Sequence, residues 1–124
     1  MNIKKSEKLL KKWKKKLGLQ NWKILLQINQ TAERMDENQG YIEVDVTHSV
    51  ALIRIIDKKQ YPSDCIGSFD FEKTLVHELL HIKFELFTPK NKKTKYRILH
   101  QSLEDMAALL TGYENKSIHK DNIR

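Results

Sequence analysis

The sequence predicts an α+β domain: an N-terminal helix, a small and mainly antiparallel three-stranded sheet, a long mid-chain helix and a C-terminal helix. Three observations carry this reading. Apolar residues recur at helical spacing over residues 6–17, 69–87 and 95–111, and they alternate at period two over 22–28 and 42–46. The strand-like stretches also stand together in one block, which implies a single sheet with helices covering one of its faces.

Ser6 to Leu17 carries Leu9, Leu10, Trp13 and Leu17 as an apolar stripe, with lysines over the remainder and Gly18 placed to end the helix. Trp22, Ile24, Leu26 and Ile28 alternate with polar residues, interrupted only by Leu25, as in a strand with one buried face. The polar stretch Gln30 to Gln39 reads as a loop closed by Gly40. Ile42, Val44 and Val46 alternate with Glu43 and Asp45, and Ala51 to Ile56 is apolar except at Arg54. The short link through His48 and Ser49 makes an antiparallel hairpin the simplest pairing of these two strands.

Asp57 to Gly67 reads as a loop containing Tyr61-Pro62. The next helix spans 69–87. Ser68 or Asp70 is its expected cap, Asp70 and Glu72 supply first-turn acids, and Thr88-Pro89 ends it. Its apolar residues form two adjoining stripes, Phe71, Leu75, Leu79, Ile82 and Leu86 beside Val76, Leu80, Phe84 and Phe87, so it belongs in the core. A basic connection leads to a last helix from about Lys95 to Thr111, with Leu103, Met106, Leu109 and Leu110 among its apolar residues and Gly112 as terminator. Residues 1–113 are expected to form one domain, and the polar, aperiodic 114–124 a disordered tail.

At 124 residues the chain can bury one core but not two. No stretch approaches the apolar length of a membrane span, and the N-terminal residues lack the apolar core and cleavage site of a signal peptide, so the expected compartment is the cytoplasm. A single cysteine, Cys65, excludes an internal disulfide, and its expected role is a free thiol rather than a ligand or nucleophile. The formal net charge is +7, and residues 1–16 hold eight lysines against one glutamate. The whole excess therefore sits on one terminal element and the rest of the chain is neutral. Nucleic acid, acidic lipid or an acidic protein are the partners such a helix would meet, with a merely solvated lysine face as the plainer expectation.

The mid-chain helix carries His77-Glu78-Leu79-Leu80-His81, an HExxH motif. On a helix two His four residues apart stand on one face, so both imidazoles can reach one metal ion, while Glu78 lies beside that ion rather than on it. Zn2+ held by two His needs a third protein ligand and an open position, and a neighbouring carboxylate can take a proton from water there. That is metallopeptidase chemistry. Without a metal, the same residues would bury a His-Glu-His cluster in a core helix at considerable cost.

The third ligand is expected from the last helix, which a short connection returns alongside the motif helix. His100 and Glu104 share a face of it. Two assignments are open: His100 ligates while Glu104 accepts the N–H of a ligating His, or Glu104 ligates with His100 nearby. The first is preferred because it uses both residues. Asp105 lies one position round and is a weaker candidate.

The stretch TLVHELLHIKF, with a following helix that offers a ligand and a carboxylate four residues later, resembles the gluzincin class of zinc peptidases. More narrowly, GLQNWKI, a later strand ALIRI and the HELLH helix follow the order of the small metallopeptidases of bacterial and phage genomes sometimes called minimal gluzincins, over roughly residues 17–112. The resemblance implies His77 and His81 as ligands, Glu78 as general base, a glutamate as third ligand and an acid four residues beyond it. The last two positions fall on His100 and Glu104, so a His stands where the pattern has Glu.

Hydrolysis of peptide bonds with Zn2+ as cofactor and Glu78 as base is therefore the expected activity. A strand edge, Ala51 to Ile56, is the candidate for aligning an extended substrate, and Tyr96, Arg97 and His48 are the candidate oxyanion donors. The alternative is a zinc-binding regulatory or interaction domain without general proteolysis, associated with nucleic acid through the lysine-rich first helix.

Overall fold

The computed structural model describes residues 1–36, 38–61, 68–85 and 93–112, the last run without the side chains of 93–99. Four helices and three strands follow in the order α1 (Ile3–Lys16), β1 (Lys23–Gln30), α2 (Ala32–Met35), β2 (Gly40–Asp45), β3 (Val50–Ile56), α3 (Phe71–Phe84) and α4 (Lys93–Thr111), with a 3-10 turn at Lys58–Gln60. The architecture is α+β, as the segregated pattern predicts. The expected tail and Cys65 lie outside the described residues, as do Thr88 and Pro89.

The sheet has the order β1-β3-β2 and is mixed. β2 and β3 form the expected antiparallel hairpin, with Ile42 opposite Ile53 and Val44 opposite Ala51. β1 pairs with β3 in parallel, Ile24 opposite Ala51 and Leu26 opposite Ile53. The expectation of a mainly antiparallel sheet is thus corrected. The chain leaves β1, runs through α2 to the far edge, and the hairpin folds β3 back into the middle. β3 takes the centre because it is apolar almost throughout: Ala51, Ile53, Ile55 and Ile56 are all buried, and a central strand loses both edges to pairing. The stretch 30–39, expected to be a loop, contains α2. Thr31 caps it and Met35 is buried at its end. A four-residue helix is too short to show a period.

One sheet face carries Ile24, Leu26, Ile28, Ile42, Val44, Ala51, Ile53 and Ile55 toward the helices, all in the same apolar cluster. On the other face Leu25 and Tyr41 are exposed, and Arg54 stacks over Tyr41 and bonds Gln27 Oε1 at 2.9 Å. α3 crosses the covered face. Every residue from Thr74 to Ile82 is buried, since sheet and helices enclose it together. Asp70, not Ser68, caps it by accepting the Lys73 N–H at 2.7 Å.

α1 is capped by Asn2, which accepts from the Lys5 N–H, and it ends where Gly18 takes φ +68°. It docks on α3 through Trp13, which is buried and donates its indole N–H to Glu72 Oε2 at 2.6 Å. Lys12 reaches the same oxygen at 3.1 Å. Among the described residues no helix is long and apolar enough to cross a membrane.

Candidate metal centre

α3 sets His77 and His81 one turn apart, and α4 brings His100 against both. The Nε2 atoms of His77 and His100 lie 3.1 Å apart, and those of His81 and His77 3.2 Å. A ligand nitrogen from each of the three rings falls within 4.8 Å of the others. Two nitrogens on one tetrahedral Zn2+, at 2.0–2.1 Å each, would be about 3.3 Å apart, so the cluster already has nearly the spacing of a ligand set. Lys73 meets Glu104, His77 meets Glu104 and His100, and the His81 ring packs on His100. Ascending positions on α3 thus meet descending ones on α4, so the two helices are antiparallel, as a short connection requires.

Glu104 Oε2 contacts Nδ1 of His77, and its other oxygen lies 2.6 Å from Lys73 Nζ. The bond to His77 holds the Glu104 carboxyl down at about 2, against the cost of its burial and with help from Lys73. A carboxylate on Nδ1 fixes the proton there and leaves a lone pair on Nε2, the atom aimed at the other two rings. Burial, with His77 and His100 adding to it, pushes His81 down to about 4, and burial likewise lowers His100. Neutral rings are what metal ligation needs. The donor set of His77, His81 and His100 therefore fits a metal ion.

Glu78 is buried and faces the cleft that His77 and His100 line, a space of about 300 Å³. Burial raises its carboxyl to about 7; His77 opposes the rise and Glu104 adds to it. The backbone of Gly40 lies against this carboxylate. A Cβ there would come within 2.9 Å of both Glu78 Oε2 and Thr74 Cγ2, so any side chain at this position would force one of them to move. Gln39 supports the same wall: its Oε1 is 3.2 Å from Thr74 Oγ1 and its Nε2 donates to the Tyr61 hydroxyl at 2.9 Å.

No protein-family model, curated protein or solved structure matches this chain.

His77, Glu78, His81, His100 and Glu104 are thus gathered at one place. Of the oxyanion candidates, His48 sits in the turn beyond β2, bonded to Asp45 Oδ2 at 2.7 Å. Five residues of strand, about 16 Å, separate Asp45 from Gly40 at the cleft, so His48 is not brought to it. The side chains of Tyr96 and Arg97 lie outside those described. The strand edge expected to align a substrate, Ala51 to Ile56, belongs to the central strand and is paired on both sides. The edge that borders the cleft is β2, through Gly40. Sequence reading missed Lys73, Gly40 and Gln39. Lys73 alone carried a signal, four residues before His77 on the same helical face.

Proposed function

We propose that this chain is a zinc-dependent peptidase of the HExxH type. One observation supports the reading above all: three imidazole Nε2 atoms converge within metal-ligand spacing while Glu78, the acid of the motif, faces the same cleft. His77, His81 and His100 would hold Zn2+, and three protein ligands are the number typical of a catalytic zinc site rather than a structural one. When bound, such an ion supplies a Lewis acid for the scissile carbonyl and a lowered pKa for the attacking water.

The chain's own residues do the rest. Glu78 accepts the proton of the attacking water and returns it to the leaving amine. Glu104, steadied by Lys73, keeps the His77 lone pair directed at the centre. β2 is an edge strand whose first residue borders the cleft, so an extended peptide can pair along it by main-chain hydrogen bonds. The site differs from the gluzincin pattern in having His100 where that pattern has glutamate, and a three-His set is chemically ordinary for zinc.

The test pairs composition with turnover. Untagged protein is expected to carry about one zinc per chain and to cleave members of an unstructured peptide library. Glu78→Gln is expected to keep the zinc and lose the cleavage. Zinc-loaded protein that cleaves nothing, or a Glu78→Gln variant as active as the parent, would overturn the peptidase reading in favour of a zinc-bearing interaction domain.

A further inference from the structure

The mechanism above makes no use of α1, where the whole net charge of the chain resides. Its lysines are not scattered. At 100° per residue, Lys4, Lys8, Lys11 and Lys15 fall within one narrow stripe, opposite the face that buries Ser6 and Trp13. All four are exposed, and among the described residues no carboxylate pairs with any of them. Lys12 and Lys16, by contrast, are drawn aside over the Trp13 ring, at 5.3 and 4.9 Å from its centre, and Lys12 is paired with Glu72.

This arrangement opposes the stability of its own helix. Lys4 and Lys8, and Lys11 and Lys15, are like charges one turn apart, which repel. The first turn holds no acid, and Lys4 and Lys5 sit at the positive end of the helix dipole. A polyanion laid along the stripe would relieve both penalties.

The geometry selects among polyanions. The apolar side of α1 is already spent on the core through Leu9, Leu10, Trp13 and Leu17, so the helix has no face to insert into a lipid surface. What remains is a single row of charges. Eleven residues of helix place Lys4 and Lys15 about 16 Å apart. Over that distance one strand of a duplex presents roughly five phosphates. We propose that α1 is a docking surface for the phosphodiester backbone of nucleic acid, without sequence preference, and that the Lys4, Lys8, Lys11 and Lys15 row makes the contact. The stripe offers only ammonium point charges, with no planar fork and no acceptor to tell one base edge from another, so its contribution is to affinity. The contact is independent of the metal centre.

The test is fluorescence anisotropy of the full chain with a labelled random-sequence DNA duplex of 20 base pairs, over a salt series, beside a variant with Lys4, Lys8, Lys11 and Lys15 all changed to Gln. Four phosphate contacts predict a log–log salt slope of about −3.6, or roughly a 150-fold loss of affinity between 50 and 200 mM salt. The slope is expected to be the same for a second, unrelated sequence, to persist in EDTA, and to collapse in the quadruple variant at a melting temperature no lower than that of the parent. A slope that survives the four substitutions would overturn the assignment. So would absence of duplex binding, or binding confined to vesicles of phosphatidylserine.

Discussion

Lys73 Nζ lies 2.6 Å from Glu104 Oε1, and the opposite oxygen of the same carboxylate meets Nδ1 of His77. A cation on α3 thereby fixes, through an acid on α4, the orientation of an imidazole back on α3. Lys73→Met is expected to weaken zinc affinity, by less than the roughly 10- to 100-fold that removing Glu104, the partner bonded to the imidazole itself, would cost. Lys73→Arg should retain most of it. Competition against a chromophoric chelator reads this directly, and equal affinity in Lys73→Met would show that Glu104 needs no tether.

His100 and Glu104 make separable predictions. His100→Ala removes a converging nitrogen and should abolish stoichiometric zinc. Glu104→Ala leaves all three nitrogens in place and should retain zinc with reduced affinity. Elemental analysis of the two variants side by side distinguishes them; the reverse outcome would make Glu104 the ligand and His100 its neighbour.

Gly40→Ala puts a methyl group within 2.9 Å of Glu78 Oε2 and Thr74 Cγ2. Overpacking of this kind costs about 1–3 kcal/mol. Glu78 is the group with room to yield, toward the cleft, so peptide cleavage should fall further than stability while zinc content is unchanged. Thermal unfolding and turnover measured together check the split.

Glu72 anchors α1 by accepting the buried Trp13 indole N–H. Glu72→Ala leaves that donor unsatisfied at a cost of about 1–3 kcal/mol. Burial alone would raise the Glu72 carboxyl, but Trp13 and Lys12 outweigh it and hold it below its ordinary value. A carboxyl depressed on folding contributes stability that is complete above its unfolded pKa and fades as pH falls through the folded one. The melting-temperature gap between the parent and Glu72→Ala should therefore be full at pH 7 and shrink in acid. A gap that is flat with pH would mean that the bond to Trp13 does not depend on the ionised carboxylate.

What the sequence made legible is local. The period of the His77–His81 helix, its acids and its flanking apolar residues announced a buried helix with two histidines on one face, and α3 has them there. His100 and Glu104 were within reach because one short connection and one helical face bring them to α3. The sheet was harder. Strand order depends on where the polar link 30–39 carries the chain, and no residue in β1 says that it will pair in parallel with β3. Gly40 and Lys73 act through approach to side chains far away in sequence, Glu78 and Glu104. Helical phase puts Lys73 on the His77 face, but nothing in the sequence marks Gly40 before its partner is known.

Among the described residues, α4 sends only Leu103 and Ala107 fully into the core. Met106 packs half-buried against the same core, and His100 and Glu104 add polar contacts to α3. A helix held in part by such contacts is expected to open without global unfolding. Opening carries His100 away from His77 and His81, so the occupancy of the three nitrogens and the docking of α4 are one equilibrium. A bound ion would act as a cross-link between two helices, and each tenfold rise in free zinc above its dissociation constant would slow amide exchange in α4 about tenfold, while the strands of the sheet exchange at their own pace.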